Sequence, residues 1–191
     1  MTKTIPELVD SFVGGDEKAF AELIKRFRQK VYSIGFQMLG NHLDADEVVQ
    51  ETFVRVFKRR KELANVKYFS TFLLRIATNY AIDLIRRKRG HSNIGDDSSE
   101  LPGEIQLKLS RSVATPSEEF ANKKLLEEIK QALTELPPKQ RLTAILHDIE
   151  GYSKSEIADM FECPEATVRS NLHIARNKLR KILRRRLKKG E

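Results

Sequence analysis

Apolar residues recur at helical spacing along most of the chain. Phe20, Leu23, Ile24, Phe27, Val31, Ile34 and Met38 fall three and four positions apart, which predicts an amphipathic helix stopped by Gly40-Asn41. A second helix begins at Asp44 and carries Val48, Val49, Thr52, Phe53, Val56 and Phe57 on one side, with Asp44, Asp46 and Glu47 near the positive end of its dipole. A third runs from about Tyr68 to Arg89 through Phe72, Leu73, Ile76, Ala77, Tyr80, Leu84 and Ile85, and is basic at its C-terminal end. No alternating strand pattern interrupts this half.

The pattern fails between Gly90 and Pro116, where Gly90, Gly95, Pro102, Gly103 and Pro116 punctuate a stretch containing Ser and Asp. We place the domain boundary there, with a first domain over 1–90, a linker over 91–116 and a second domain over 117–191. Leu101, Ile105, Leu107, Leu109 and Val113 are too apolar for a fully solvated spacer, so the linker is expected to pack on its own domains or on a partner. Helical spacing returns through Phe120, Leu125, Leu126, Ile129 and Leu133, breaks at Pro137-Pro138, and resumes over Leu142 to Ile149, Ser153 to Phe161, and Pro164 to Leu187. The expected fold class is all-α: two helical domains joined by an irregular linker.

The segment from Gly151 to Leu172 carries the most local information. Ser153 with Glu156 makes a capping box, Ile157, Ala158 and Phe161 give a short apolar face, and Pro164 suits the first turn of the next helix. Val168, Leu172, Ala175 and Leu179 then form that helix's buried seam. Two short helices about a tight turn, with a small Ala158 at the contact, describe a helix-turn-helix whose second member enters the major groove; an ordinary helical hairpin is the competing reading. The outward face holds Arg169, Ser170, His173, Ile174 and Asn177. Arg169 can donate twice to a guanine edge, and Ser170 and His173 can bond bases or phosphates. Ile174 is open to three readings: a thymine methyl contact, a contact to the first domain, or chance exposure. Arg176, Lys178, Arg180, Lys181 and Arg184 to Arg186 read either as phosphate-tracking or as solvated charge.

Composition narrows the function classes. With 40% apolar and 32% charged residues, the 191-residue chain is not disordered as a whole. Its longest uncharged stretch, Val31 to Leu43, is too short to cross a bilayer, and no apolar secretory segment follows Met1, so a cytoplasmic protein without membrane insertion is expected. Cys163 has no internal disulfide partner, and His42, His91, His147 and His173 lack zinc-ligand spacing. The acids of the second helix lack the Glu-x-x-His of a carboxylate-bridged metal site. Neither a metal, a cofactor nor enzyme chemistry is expected.

The net charge of +8 is unevenly placed. Val54 to Gly90 holds 11 basic and 2 acidic residues, and Arg169 to Glu191 holds 10 basic and 1 acidic, so the remainder is net acidic. Two basic poles of this density favour nucleic acid through counterion release, over solvated helix faces or an anionic membrane.

Across nearly its full length the sequence resembles the small two-domain, extracytoplasmic-function sigma factors of bacterial RNA polymerase. Four motifs carry the resemblance: the acidic stretch Asp44 to Phe53, the stretch Phe69 to Arg89, the run Leu136-Pro-Pro-Lys-Gln-Arg141, and Gly151 to Arg176. The first two resemble the family's domain 2, the last two its domain 4. The resemblance implies that Asp44, Asp46, Glu47, Gln50 and Glu51 meet core polymerase at the β′ clamp helices. It implies that domain 2 opens the promoter −10 element, holding a flipped base in a pocket of the loop from about Leu63 to Tyr68. Tyr68, Phe72, Arg75 and Asn79 would contribute there, with Arg55, Arg59 and Arg60 toward phosphates. In domain 4, Thr167, Arg169, Ser170, His173, Ile174 and Asn177 would meet the −35 element. The implied partners are core RNA polymerase (β′ clamp helices and β flap), promoter DNA and an anti-sigma factor, and the acidic linker would thread the polymerase cleft or serve as a solvated tether.

The chain departs from the family pattern at four positions. Phe72 stands where tryptophan is usual, Ala166 where glycine is usual, and Asn171 and Ile174 where arginines are common. The last two imply either a different −35 sequence or a weaker hold on it. Two other functions fit parts of the pattern: a stand-alone helix-turn-helix regulator with a helical sensor domain, and a sigma-like mimic that sequesters an anti-sigma factor.

Overall fold

Thr4 and Glu7 open the first helix by satisfying each other's backbone. The Thr4 amide donates to Glu7 Oε2 at 2.6 Å, the Glu7 amide donates to Thr4 Oγ1 at 3.4 Å, and Pro6 sits in the first turn, where its missing N–H is not needed. This computed structural model describes residues 3–66, 68–91 and 116–187, with the helix ends at 89–91, 116–124 and 187 as backbone alone. The expected linker therefore lies, from 92 to 115, outside the described residues. The helices fall into two compact units, the first over the described residues up to His91 and the second over most of Pro116–Leu187.

In the first unit, α1 (Ile5–Val13) is followed by α2 (Glu17–Leu39), α3 (His42–Lys58), a 3-10 turn (Arg60–Asn65) and α4 (Phe69–His91). The periodicity described above begins at Phe20 and misses α1. Nine residues with three buried apolar side chains, Leu8, Val9 and Phe12, are too few to show a repeat. Phe12 fixes the helix: its ring stacks on Phe20 at 4.4 Å between centroids and lies 5.9 Å from that of Phe57.

Asp16 caps α2 by accepting from the amides of Lys18 and Ala19, and Gly40 ends it at φ 82°, a left-handed conformation that glycine adopts without strain. Asn41 then caps α3, accepting from the Asp44 amide at 2.8 Å. Helices α2 and α3 pack closely because residue 35 has no side chain: a Cβ there would lie 3.3 Å from Val48 Cβ and 3.4 Å from Ala45 Cα. Leu23, Ile34, Met38, Val48, Val56, Leu73 and Leu74 fill the interior without measurable exposure. Each such side chain contributes about 1.5–3 kcal/mol of burial free energy. Phe57, expected on the buried side of α3, is instead 39% exposed at its edge.

The second unit comprises α5 (Pro116–Thr134), α6 (Pro138–Ala144) with a π-helical turn (Ile145–Ile149), α7 (Lys154–Phe161) and α8 (Glu165–Leu187). Leu133, Leu136, Ala144, Ala175 and Ile182 form its core. Arg141, at the end of the Leu136-to-Arg141 motif, is 5% exposed and donates to the carbonyls of Leu133 (2.7 Å), Thr134 and Leu136 (3.5 Å). It thereby satisfies the C-terminal acceptors of α5 that Pro137-Pro138 would otherwise leave open. The expected helix over Leu142 to Ile149 widens into the π turn, closed by the Glu150 amide donating to the Ile145 carbonyl at 2.9 Å.

Candidate nucleic-acid interfaces

The acidic face of α3 is narrower than the sequence implies. Asp46, Glu47 and Gln50 are exposed and Glu51 is half-exposed, at spacings that make one stripe. Asp44 leaves the set. Its side chain is 9% exposed, accepts from Lys88 Nζ at 2.6 and 2.7 Å, and accepts from Asn41 Nδ2 at 2.6 Å. It fastens the C-terminal end of α4 to the start of α3 and offers no carboxylate outward. Beside the stripe, Asp46 and Gln50 share a groove of about 600 Å³ with Phe20, Ile24, Val49, Phe53, Val54 and Phe57, and Arg28 and Lys58 stand on its rim. This apolar groove is absent from the sequence reading, although the displaced Phe57 contributes to it.

The basic residues of α3 and α4 meet across aromatic rings. Arg59 and Arg75 place their guanidinium carbons 5.1 and 5.6 Å from the Phe72 centroid, and Arg55 and Arg87 place theirs 4.8 and 5.2 Å from that of Tyr80. Phe72 is 4% exposed, so it is a core platform beneath two cations and is not available as a wedge between bases. Tyr68, immediately ahead of α4, is 58% exposed, while Asn79 is exposed on α4 and Arg60 half-buried in the 3-10 turn. Leu63, at the start of the expected base pocket, is 2% exposed and belongs to the core.

Several of these groups are already engaged. Arg59 holds Glu62 by two bonds of 2.9 and 2.6 Å, and this pairing lowers the Glu62 carboxyl and raises the Arg59 guanidinium from their ordinary pKa values. The Tyr80 hydroxyl donates to Glu47 Oε1 at 2.5 Å. Its pKa is raised, first by burial and then by the bond to Glu47, and is opposed by Arg87. Arg87 lies outside the residues singled out from sequence. Its signal is positional: it falls two helical turns beyond Tyr80 on the same helix face.

In the second unit the structure assembles the expected helix-turn-helix. The Ser153 amide donates to Glu156 Oε2 at 2.8 Å, and the Glu156 amide donates to Ser153 Oγ at 3.2 Å. Ile157, Ala158 and Met160 of α7 are buried, as are Val168, Leu172 and Ala175 of α8. Glu162 takes the turn at φ 50°, a left-handed conformation that strains a residue bearing a Cβ by about 1 kcal/mol. Thr167, Arg169, Ser170, His173 and Ile174 are exposed together on α8, and the half-buried Asn177 bonds His173 at 2.9 Å. Ile174 is 37% exposed among these polar groups. Glu165 holds Arg169 at 2.8 Å one turn back, which pre-extends the guanidinium along the helix face.

Part of the C-terminal basic pole braces the fold. Arg176 pairs with Asp148 of the π turn at 2.5 Å, and Arg186 reaches Glu128 of α5 at 3.2 Å and Glu135, just past its end, at 2.7 Å. Arg180, Lys181, Arg184 and Arg185 remain exposed. Among the described residues no cluster of three or more His, Cys, Asp and Glu could hold a metal ion, and no helix is long and apolar enough to cross a membrane.

Known proteins share both units. Residues 23–91 match the family Sigma-70 region 2, and residues 126–179 match Sigma-70, region 4. The ECF RNA polymerase sigma factor SigW of Bacillus subtilis is 31% identical over 188 residues, covering 96% of this chain and 99% of its own. The ECF RNA polymerase sigma-E factor of Escherichia coli K12 is 29% identical over 183 residues, covering 93% of this chain and 95% of its own. Among solved structures, the sigma factor RpoE of Bartonella quintana in complex with the anti-sigma factor NepR superposes with a TM-score of 0.67 at 20% identity, over 87% of this chain and 98% of that one. CnrH in complex with the cytosolic domain of CnrY superposes with a TM-score of 0.64 at 23% identity, over 92% of this chain and 94% of that one.

Proposed function

The chain belongs to the extracytoplasmic-function RNA polymerase sigma factors, and from that premise we propose how its residues divide the work of promoter recognition. The first unit docks on core polymerase through Asp46, Glu47, Gln50 and Glu51, with the adjoining groove receiving the apolar flank of the same basic coiled coil on the β′ clamp. The cations mounted on Phe72 and Tyr80 hold the −10 backbone, and Tyr68 offers its ring to an unstacked base, whose extrusion costs a few kcal/mol. The second unit meets the β flap, and its α8 reads the −35 element with Arg169, Ser170, His173 and Ile174, where a thymine methyl would lie against the Ile174 side chain. An anti-sigma factor is the third partner, by the likeness to the sigma factor RpoE solved with the anti-sigma factor NepR.

The observation that carries this reading is the separation of charge across the packed pair α3 and α4. One stripe presents carboxylates, and the adjoining seam with α4 presents four guanidiniums on two rings. The packed pair α3 and α4 thus faces a basic protein surface and a polyanion at once. The protein acts as an initiation factor in the cytoplasm, leaving bond-making chemistry to the polymerase. A stand-alone regulator has no need of a region 2 unit, and that unit is present. Glu51→Lys tests the docking face: binding to core polymerase should be lost with helical content unchanged, and undiminished affinity would assign the acidic stripe another task.

A further inference from the structure

Arg169 is held along one edge only. Its Nε and Nη2 both donate to Glu165 Oε1, at 3.0 and 2.8 Å, with 65% of the arginine side chain and 40% of the glutamate side chain exposed. A guanidinium bound along that edge keeps the opposite one free, where Nη1 and Nη2 present parallel N–H groups. Among the described residues nothing else binds Arg169, and nothing donates to Glu165 Oε2. Glu165 is the first residue of α8 and Arg169 lies one turn on, in the N-terminal part of a recognition helix that comes nearest the base edges.

We propose that Glu165 and Arg169 read two neighbouring base pairs as a unit, with Glu165 both positioning Arg169 and contacting a base itself, an inference that rests on the −35 assignment above. The free edge of Arg169 matches the O6 and N7 acceptors of guanine, and Glu165 restrains the rotations that would turn that edge away. The carboxylate offers acceptors alone. Its unused oxygen takes the exocyclic amino group of cytosine or adenine and is repelled by the O4 of thymine and the O6 of guanine. Bonds of 2.8 and 3.0 Å keep the two head groups within about one 3.4 Å base step of each other, so the guanine and the amino base are adjacent. Phosphates repel the same carboxylate at every sequence. Glu165 therefore lowers affinity for DNA in general while raising selectivity for one sequence.

The test uses the full chain bound to core polymerase and a pool of duplexes carrying a randomised block, from which the wild-type complex selects its preferred sequence. Affinities for that duplex and its single-base-pair variants are then read by fluorescence anisotropy at one salt concentration. The selected sequence should contain a guanine whose replacement weakens binding about five- to hundredfold, next to a base pair that presents an amino group. Arg169→Ala should abolish the guanine preference. Glu165→Ala should cut it about three- to tenfold and erase the neighbouring amino preference, yet bind an unrelated duplex more tightly than wild type. Each preference is a ratio taken on one protein, so a loss of stability does not move it, and a glutamate that only supports the helix would not move selectivity and general affinity in opposite directions. Glu165→Gln should recover part of the guanine preference, because its amide oxygen still accepts from Arg169, and should tolerate thymine at the neighbouring position through its amide donor. Wild-type preferences at both positions in Glu165→Ala, or a selected sequence with every guanine preference intact in Arg169→Ala, would overturn the paired reading alone. A wild-type complex that selects no sequence would overturn the −35 assignment, and the paired reading with it.

Discussion

Replacing Asp44 by Asn separates a structural carboxylate from a docking one. In the fold, Asp44 accepts two bonds from Lys88 at 2.6 and 2.7 Å and one from Asn41, with 9% of its side chain exposed against 54% for Lys88. A charge-assisted hydrogen bond is worth about 1.5–3 kcal/mol when buried. Water at the lysine end screens the pair, so about 1–2 kcal/mol is expected. For a unit of this size that is a fall in melting temperature of roughly 5–15 °C. Circular dichroism melts of Asp44→Asn, Lys88→Met and the double variant provide the measurement. The two single changes should destabilise by similar amounts, and the double variant by little more than either, giving a coupling of about 1 kcal/mol. Core polymerase affinity, measured well below the melting transition, should be unchanged. Additive losses, or lost polymerase affinity in a fully folded Asp44→Asn protein, would refute the structural assignment.

Three further perturbations follow from the packing and the caps. Arg141→Ala should destabilise the second unit by about 3 kcal/mol in urea unfolding, because the carbonyls of Leu133, Thr134 and Leu136 lose a charged donor inside the core. Gly35→Val should cost about 1–3 kcal/mol in the same assay, since its Cβ would press on Val48 and Ala45 where α2 and α3 meet. The Glu7 carboxyl is held below the ordinary glutamate range, first by the Thr4 backbone amide and then by the Thr4 hydroxyl. A folded-state pKa below the unfolded one stabilises α1 above the unfolded value, and that stabilisation is lost as pH falls through the lowered value. An NMR titration should show Glu7 titrating below its ordinary range with α1 amide protection falling alongside, and Glu7→Gln should remove that pH dependence.

The long helices were legible because their apolar repeats persist over many turns. Phe20 to Met38 marks α2, and Val168 to Leu179 marks the seam of α8. Local chemistry was equally readable: Ser153 and Glu156 cap α7 as their spacing requires, and Gly40 turns left-handed at the end of α2. What the chain does not display is which neighbours a side chain finds across space. Asp44 and Glu47 are both acids of one helix turn, yet only the position of Lys88, 44 residues on, turns the first inward. Arg176 and Arg186 look like part of a phosphate-binding run until Asp148 and Glu135, 28 and 51 residues back, are seen to hold them. Tyr80 was legible as an apolar seam residue; the Glu47 partner of its hydroxyl and the Arg55 cation on its ring come from the packing of α3 on α4. The π turn after Ala144 leaves the apolar spacing unchanged, so periodicity could not distinguish it from continued helix.

The most direct test of the central claim is transcription itself. Core RNA polymerase reconstituted with the purified chain should initiate at discrete sites on fragments of the source genome, and mapped start sites should share upstream sequence elements at −10 and −35. Adding Glu51→Lys in place of the wild-type chain should abolish those starts. If wild-type reconstitution yields no specific initiation over core polymerase alone, or if Glu51→Lys directs the same starts as efficiently, the assignment of α3 as the polymerase-docking helix of a sigma factor is contradicted.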